Sequence, residues 1–127
     1  MHAAIAAAEA ILPGRKAPDG KPDARWKAMF AVKEFMEREP EAIWPFVLKW
    51  GRHRSADLRT AVALVILEHL LELHGDLLFP RVRAAAREHP RFADAVSTCS
   101  FFGDDPRARR RLARLQADIR RWRHAAS

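Results

Sequence analysis

Apolar residues recur along this chain at the spacing of amphipathic helices, and residues that cap or stop helices separate the apolar segments. In residues 41–50, for example, Ile43, Val47 and Leu48 fall on one helical face. No window shows the strict polar–apolar alternation that is typical of a half-buried strand. The pattern therefore predicts an all-α protein of about six to seven helices.

Capping and breaking residues predict where these helices begin and end. Aspartate and serine side chains accept hydrogen bonds from the first amides of a helix, whereas proline and glycine are common just past its end. On these grounds we expect helices from Asp23 to Pro40, from Glu41 to Gly51, from Ser55 to Gly75, from Asp76 to Pro90, from Arg91 to Gly103, and from Asp105 and Pro106 onwards.

Two parts of the chain repeat one another. An offset of 34 residues aligns Arg25 with Arg59, and an offset of 35 aligns Pro45 with Pro80. Each unit contains a longer helix, a tight turn and a shorter helix with an early proline, which a first helical turn tolerates because its amides lack intrahelical partners. A period near 34 predicts a short right-handed α-solenoid of about two to three antiparallel helical hairpins.

A chain of 127 residues fits one domain. Within it we expect four consecutive parts. They are an N-terminal helix with a strap rich in proline and glycine at residues 1–23, a first repeat at 24–54, a second repeat at 55–89, and a degenerate capping hairpin with an arginine-rich helix at 90–127.

Five short segments carry a resemblance to known proteins. They are LPGRKAPDGKPDARW (12–26), KWG (49–51), LEHLLELH (67–74), LFPRV (78–82) and RFAD (91–94). Through them the chain resembles HEAT-like repeat proteins, the group that includes DNA-alkylation-repeat glycosylases, and more closely small uncharacterised bacterial proteins of comparable layout. The resemblance implies a stacked helical repeat. It implies no activity, because no motif of the glycosylases is present here.

Composition indicates a soluble globular protein, with 49% hydrophobic and 31% charged residues. A lone cysteine, Cys99, excludes an internal disulfide and a cysteine-only zinc site, and favours a reducing cytosol. The apolar run from Ala61 to Leu67 is far shorter than the roughly 18 residues that span a bilayer. The N-terminus lacks the positive region of a signal peptide and contains Glu9. We therefore expect a cytoplasmic protein that does not enter the membrane.

The net charge of +7 comes entirely from the C-terminal segment. Acidic and basic residues balance in residues 1–106, whereas residues 107–127 contain eight arginines and one acid, Asp118. Four apolar residues form a narrow stripe on the same helix: Leu112, Leu115, Ile119 and Trp122. The stripe predicts that the helix docks on the body as a cap, while its arginines face outwards.

Outward arginines permit several uses. They suit an acidic protein partner, or the phosphates of a nucleic acid, where affinity would depend strongly on salt. Membrane binding is less well supported, because the apolar stripe is narrow. The candidate partner or phosphate contacts are Arg107, Arg110, Arg111, Arg114, Arg121 and Trp50, the last because it stands at a helix end and is expected to be partly exposed.

The segment EHLLELH contains residues that are common in metal and catalytic sites. It lacks the His-Glu-x-x-His pattern of zinc proteases and the Glu-x-x-His pairs of di-iron sites. Glu68 aligns with Glu34 in the repeat, and both are expected to be buried ionic positions that pair with Arg25 or Arg59. An enzyme using Glu34, Glu68 and His69 requires that these residues open into one pocket.

We therefore expect a non-catalytic binding module, with a protein as the partner. The alternative is a nucleic-acid-binding module that contacts phosphates through the arginine-rich helix. The sequence predicts no catalytic residue, metal or cofactor, and a small-molecule substrate is not expected.

Overall fold

The computed structural model describes residues 2–13, 24–100 and 103–126, and these residues contain helices and no strand. The prediction of an all-α protein is confirmed. The described helices are α1 (His2–Ile11), α2 (Ala24–Lys33), α3 (Pro40–Gly51), α4 (residues 56–73), α5 (Gly75–Glu88), α6 (Pro90–Thr98) and α7 (Pro106–Ala126). The strap at residues 14–23, with its predicted cap Asp23, lies outside the described residues.

Helix α4 is the centre of the packing. It consists of α-helical Ala56–Ala61, π-helical Val62–Leu67 and α-helical Glu68–Leu73. The Ser55 hydroxyl accepts a hydrogen bond from the Leu58 amide at 3.4 Å, which confirms the predicted N-cap. The π segment contacts α2, α3 and α6, and five of its six residues are buried. The apolar run in the middle of α4 thus forms the centre of the hydrophobic core.

Large apolar side chains from most of the helices meet around α4. Those that are almost completely buried include Met29, Ile43, Leu70, Leu78, Phe92 and Ile119. The stripe of α7 belongs to the same core, since Leu112, Leu115 and Ile119 are buried and Trp122 packs against them. The prediction that the last helix docks through its stripe is confirmed. Among the described residues, no helix is both long and apolar enough to cross a membrane.

Helix α2 ends at Lys33, several residues before the predicted stop at Pro40. Beyond Lys33 the chain continues in turns, where the amides of Phe35 and Met36 donate to carbonyls only three residues earlier. Glu34 therefore lies in a turn and is exposed, whereas Glu68 lies within α4 and is buried. The prediction that the two glutamates are equivalent buried positions is wrong, because the helices that carry them end at different points.

Gly51 and Gly75 lie at the predicted helix ends, but neither is a left-handed cap. Gly51 is the last residue of α3, and the C-cap Arg52 has an ordinary φ of −107°. A Cβ atom on Gly51 would lie 2.8 Å from Cε2 of Phe92, so this glycine permits α3 and α6 to approach closely. Gly75 starts α5 directly after His74, rather than following α4 as a cap.

A single residue, His74, separates α4 from α5. His74 is the N-cap of α5 and makes no side-chain cap, so the predicted cap at Asp76 is wrong and Asp76 lies in the first turn instead. The imidazole Nε2 of His74 lies 2.9 Å from the Met36 carbonyl oxygen, which ties this junction to the turn after α2. From the first turn of α5 the Asp76 carboxylate contacts α7.

Candidate binding face of α5 and α7

Helix α7 packs against α5 and α6, and its arginines next to α5 form ion pairs. The Asp76 carboxylate of α5 accepts from Arg111 Nη1 at 2.9 Å and lies 3.2 Å from Arg107 Nη2. Arg111 is also held over the ring of Phe79, with 4.5 Å between the guanidinium carbon and the ring centroid. Because two different contacts hold it, Arg111 has a defined orientation.

The lone acid of α7, Asp118, is buried between two arginines. Arg83 of α5 donates to Oδ2 at 2.6 Å, and Arg121 bonds to Oδ1. These contacts lower the pKa of Asp118; the hydrogen bond from Arg83 is the main cause, and the positive charges of the neighbouring arginines add to it against the opposing effect of burial. Asp118 thus stays ionised and fixes Arg83 at the boundary between the helices.

Trp122 gives Arg83 a second support. The guanidinium carbons of Arg83 and Arg87 lie 5.2 and 5.0 Å from the centroid of its ring system. A tryptophan face attracts cations, and the rigid fork of arginine stacks well on it. The apolar stripe therefore ends in an aromatic ring that orients basic side chains.

Other arginines of α7 have no carboxylate partner among the described residues. Arg110, Arg114 and Arg120 are exposed and lie in no ion pair of the described part of the chain. Arg123 instead pairs with Asp94 of α6, and Arg109 donates to the Gly103 carbonyl at 2.7 Å. Of the five predicted arginine contacts, Arg110 and Arg114 are thus available to a partner without breaking an ion pair, whereas Arg107, Arg111 and Arg121 are engaged.

Two cavities lie along the junction of α5 and α7. The first, of about 350 Å³, is at the α4–α5 junction, and its polar lining includes Glu72, Asp76 and Arg107. Leu73 and Leu77 also line it and are 49% and 38% exposed, which is high for leucine. This end of the junction therefore combines exposed apolar surface with charge.

The second cavity, of about 260 Å³, lies farther along the same junction. Phe79 and Arg111 line both cavities, so the two form one continuous surface. We call this surface the α5–α7 face; its main apolar and basic residues are Leu73, Leu77, Phe79, Pro80, Arg83, Arg107, Arg111, Arg114 and Leu115, and its acidic residues are Glu72, Asp76 and Asp105.

Trp50 is not part of this face. The prediction that it is partly exposed is wrong, because only 3% of its surface is accessible. Its ring stacks on His53 and lies near Phe46, and its Nε1 atom is buried without a hydrogen-bond partner. The apolar ring is thus used for packing at the end of α3.

Among the described ion pairs, neither Glu34 nor Glu68 is paired with Arg59. Glu68 accepts a hydrogen bond from the Ser100 amide at 2.9 Å, while Glu34 faces solvent. Arg59 donates to the carbonyls of His53 and Arg54, each at 2.9 Å. Its nearest described carboxylate is that of Asp94, at 3.8 Å. Arg25 is buried.

The three residues of the enzyme hypothesis share no cavity that the described part of the chain forms around α5, α6 or α7. None of the described cavities is lined by Glu34, Glu68 or His69. Within the described ranges, no group of three or more histidine, cysteine, aspartate or glutamate side chains is placed to hold a metal ion. Cys99 is buried, and its thiol contacts the carbonyls of Ala63 and Ala95.

Several residues of the α5–α7 face have no sign in the sequence that would single them out. Arg83 is an ordinary helix residue until α7 packs beside it. Its partner Asp118, outside the face, does stand out in the sequence as one acid among eight arginines. Comparison with family models, curated proteins and solved structures found no match to this chain.

Proposed function

We propose that this protein is a non-catalytic binding module whose α5–α7 face binds a protein partner with acidic and apolar side chains. The observation that carries this proposal is the position of Leu73 and Leu77, which are exposed next to Arg107 and Arg111. Protein interfaces combine apolar and aromatic contacts with arginine, which is enriched there, while lysine is depleted. Arginine is also the preferred cation where carboxylates are bound in pairs of hydrogen bonds.

The composition of the two helices supports the same partner. Together α5 and α7 contain eleven arginines and no lysine, against three acidic residues. Their surplus charge attracts an acidic partner and speeds its association. The exposed leucines then give such a partner apolar surface to bury.

Nucleic acid is the second candidate, because Arg110, Arg114 and Arg121 are all exposed and follow one side of α7 at spacings of four and seven residues. Such a row suits phosphate contacts, whose affinity depends strongly on salt. We favour a protein because exposed leucines have no role in phosphate binding.

The resemblance to helical repeats also remains part of this proposal. Pro45 is the sixth residue of α3 and Pro80 is the sixth residue of α5. Equal positions of an internal proline support two equivalent units, although both prolines lie beyond the first turn and each removes one helical hydrogen bond. A short α-solenoid is the arrangement we propose for these units. The lone, buried thiol of Cys99 supports a reducing compartment, and we propose the cytoplasm.

The test compares two fluorescent probes by anisotropy: a helical peptide with leucines on one face and glutamates on the flanks, and a single-stranded oligonucleotide. The test variant carries Leu73→Ser and Leu77→Ser. The matched control is Phe30→Ser, since Phe30 is 49% exposed on α2, outside the α5–α7 face. Deletion of α7 is unsuitable because it would remove core residues such as Ile119 and expose the core residues that pack against them.

We expect the peptide to bind the wild type and the control variant equally well. The leucine variant should bind it at least tenfold more weakly, a loss of about 1.4 kcal/mol or more. Nucleic acid would be favoured instead if the oligonucleotide bound tightly, its affinity fell steeply with salt, and the leucine substitutions left that affinity unchanged. Failure of both probes to bind would overturn the use of this face in binding.

A further inference from the structure

The second cavity has a composition that differs from the rest of the α5–α7 face. Three of its six lining residues are apolar, namely Phe79, Pro80 and Leu115, and we call them its floor. The other three are Arg83, Arg111 and Arg114, and we call them its rim. Small-molecule sites are typically apolar concavities with a few placed polar groups. A purely basic surface groove would lack the apolar floor, and an ordinary packing gap would lack the three cations.

Two of the three rim arginines are held in place before any ligand arrives. Arg83 is fixed by Asp118 at 2.6 Å and by the ring of Trp122. Arg111 is fixed by Asp76 at 2.9 Å and by the ring of Phe79. Each guanidinium has five N–H donors, so these contacts leave donors for a ligand. A rim that is already ordered loses less side-chain entropy when it binds.

The third rim residue, Arg114, is exposed and has no ion-pair partner among the described carboxylates. Arg83 and Arg111 each lie beside a carboxylate, Asp118 and Asp76, and these carboxylates also contact Arg121 and Arg107, which do not line the cavity. The three rim guanidiniums thus outnumber the two carboxylates beside them, and each carboxylate is shared with a further arginine. The rim therefore attracts an anion.

We propose that this cavity binds a small phosphate monoester with an aromatic ring. The phosphate has a charge near −2 and three acceptor oxygens, which match three guanidiniums better than the two oxygens of a carboxylate do. The ring covers the apolar floor. The volume is below the roughly 300–1,000 Å³ of drug-sized sites, so one ring fits rather than a larger ligand. This site does not depend on the proposed protein partner.

The test titrates ¹⁵N-labelled protein with phenyl phosphate and follows the amide signals at about 0.15 M salt, where long-range charge effects are screened. The test variant is Arg114→Gln. The matched control is Arg110→Gln, since Arg110 is exposed one turn earlier on α7 and does not line the cavity. We expect saturable shifts confined to residues 79–83 and 111–115. Arg114→Gln should weaken binding about tenfold or more, because a hydrogen bond to a charged group is lost, and Arg110→Gln should leave it unchanged.

Further probes test the apolar floor and the head group separately. Pro80→Ala removes ring atoms from the floor and restores a helical amide, so folding is not at risk. This substitution should weaken the binding of phenyl phosphate and leave the binding of inorganic phosphate unchanged. With the wild-type protein, benzoate should bind more weakly than phenyl phosphate. The proposal is overturned by the absence of saturable shifts, by equal losses in the Arg114 and Arg110 variants, by inorganic phosphate binding as tightly as phenyl phosphate, or by benzoate binding as tightly.

Discussion

Replacement of Gly51 by alanine tests whether close packing, rather than backbone conformation, requires glycine at the end of α3. The new Cβ would lie 2.8 Å from Cε2 and 2.9 Å from Cδ2 of Phe92. Carbon atoms prefer separations of about 3.5–4.0 Å, so the overlap approaches 1 Å. Phe92 is completely buried and meets Trp44 edge-on with 5.8 Å between ring centroids, so its ring has no free space to enter.

The expected size of the effect follows from two opposing contributions. Overpacking of a buried site costs about 1–3 kcal/mol. Alanine restricts the unfolded chain and favours helix, which stabilises by about 0.5–1 kcal/mol. The clash is the larger contribution, and we expect Gly51→Ala to lower the free energy of unfolding by about 1–2 kcal/mol. For a chain of this size that corresponds to a Tm lower by about 4–8 °C.

Chemical denaturation followed by circular dichroism measures the effect, and a second background identifies its cause. Phe92→Val removes both ring carbons that meet the new methyl group. In that background Gly51→Ala should become neutral or stabilising, by up to about 1 kcal/mol. Gly75→Ala is a control, because its closest contact is a milder 3.3 Å to Phe79. An equal loss of stability from Gly51→Ala in both backgrounds would refute the packing explanation.

Three further outcomes concern buried polar groups. The pKa of Asp118 is lower in the folded state than the 3.8 of the unfolded chain. The stability that its ionised carboxylate contributes is therefore present above pH 3.8, and it is lost as the pH falls through the pKa of the folded state. In urea titrations, Asp118→Asn should therefore be less stable than wild type at pH 7 and equal to it in strong acid; a constant difference would contradict this. Burial raises the pKa of the Cys99 thiol, and the charge of Glu68 adds to the effect, so labelling by a thiol reagent should require unfolding and accelerate with denaturant. Rapid labelling of the folded protein would show otherwise. Glu68→Gln keeps an acceptor for the Ser100 amide, whereas Glu68→Ala leaves that amide without one. In thermal unfolding we expect the alanine variant to be less stable than the glutamine variant by about 1–3 kcal/mol. Equal stabilities would exclude this role for Glu68.

Features that depend on nearby residues were predictable from the sequence. Helix spacing and the Ser55 cap act over a few residues, and both are confirmed. The stripe of α7 needs only a 3.6-residue period, and its burial is confirmed as well. The limits of that reasoning appear at Glu34 and Glu68, whose burial depends on where each helix ends and on what packs beside it.

The candidate site was only partly predictable for the same reason. The arginines of α7 are visible as a cluster in the sequence, but their division into paired and unpaired groups depends on Asp76 and Asp94 from other helices. Trp50 was predicted to be partly exposed because it stands at a helix end, but tertiary contacts bury it. The arginine-rimmed cavity arises only when α5 and α7 lie side by side.

The π-helical turn in α4 bears on how this chain tolerates changes in length. A π turn holds one residue more than an α turn, because its hydrogen bonds reach five residues back instead of four. Loss of one residue within Val62–Leu67 would convert this turn to α-helix and leave both flanking parts of α4 facing as they do now. The same loss elsewhere in α4 would rotate the following part by about 100° and move Leu70 and Leu71 out of the core. Related sequences that are one residue shorter are therefore expected to have their gap in this segment.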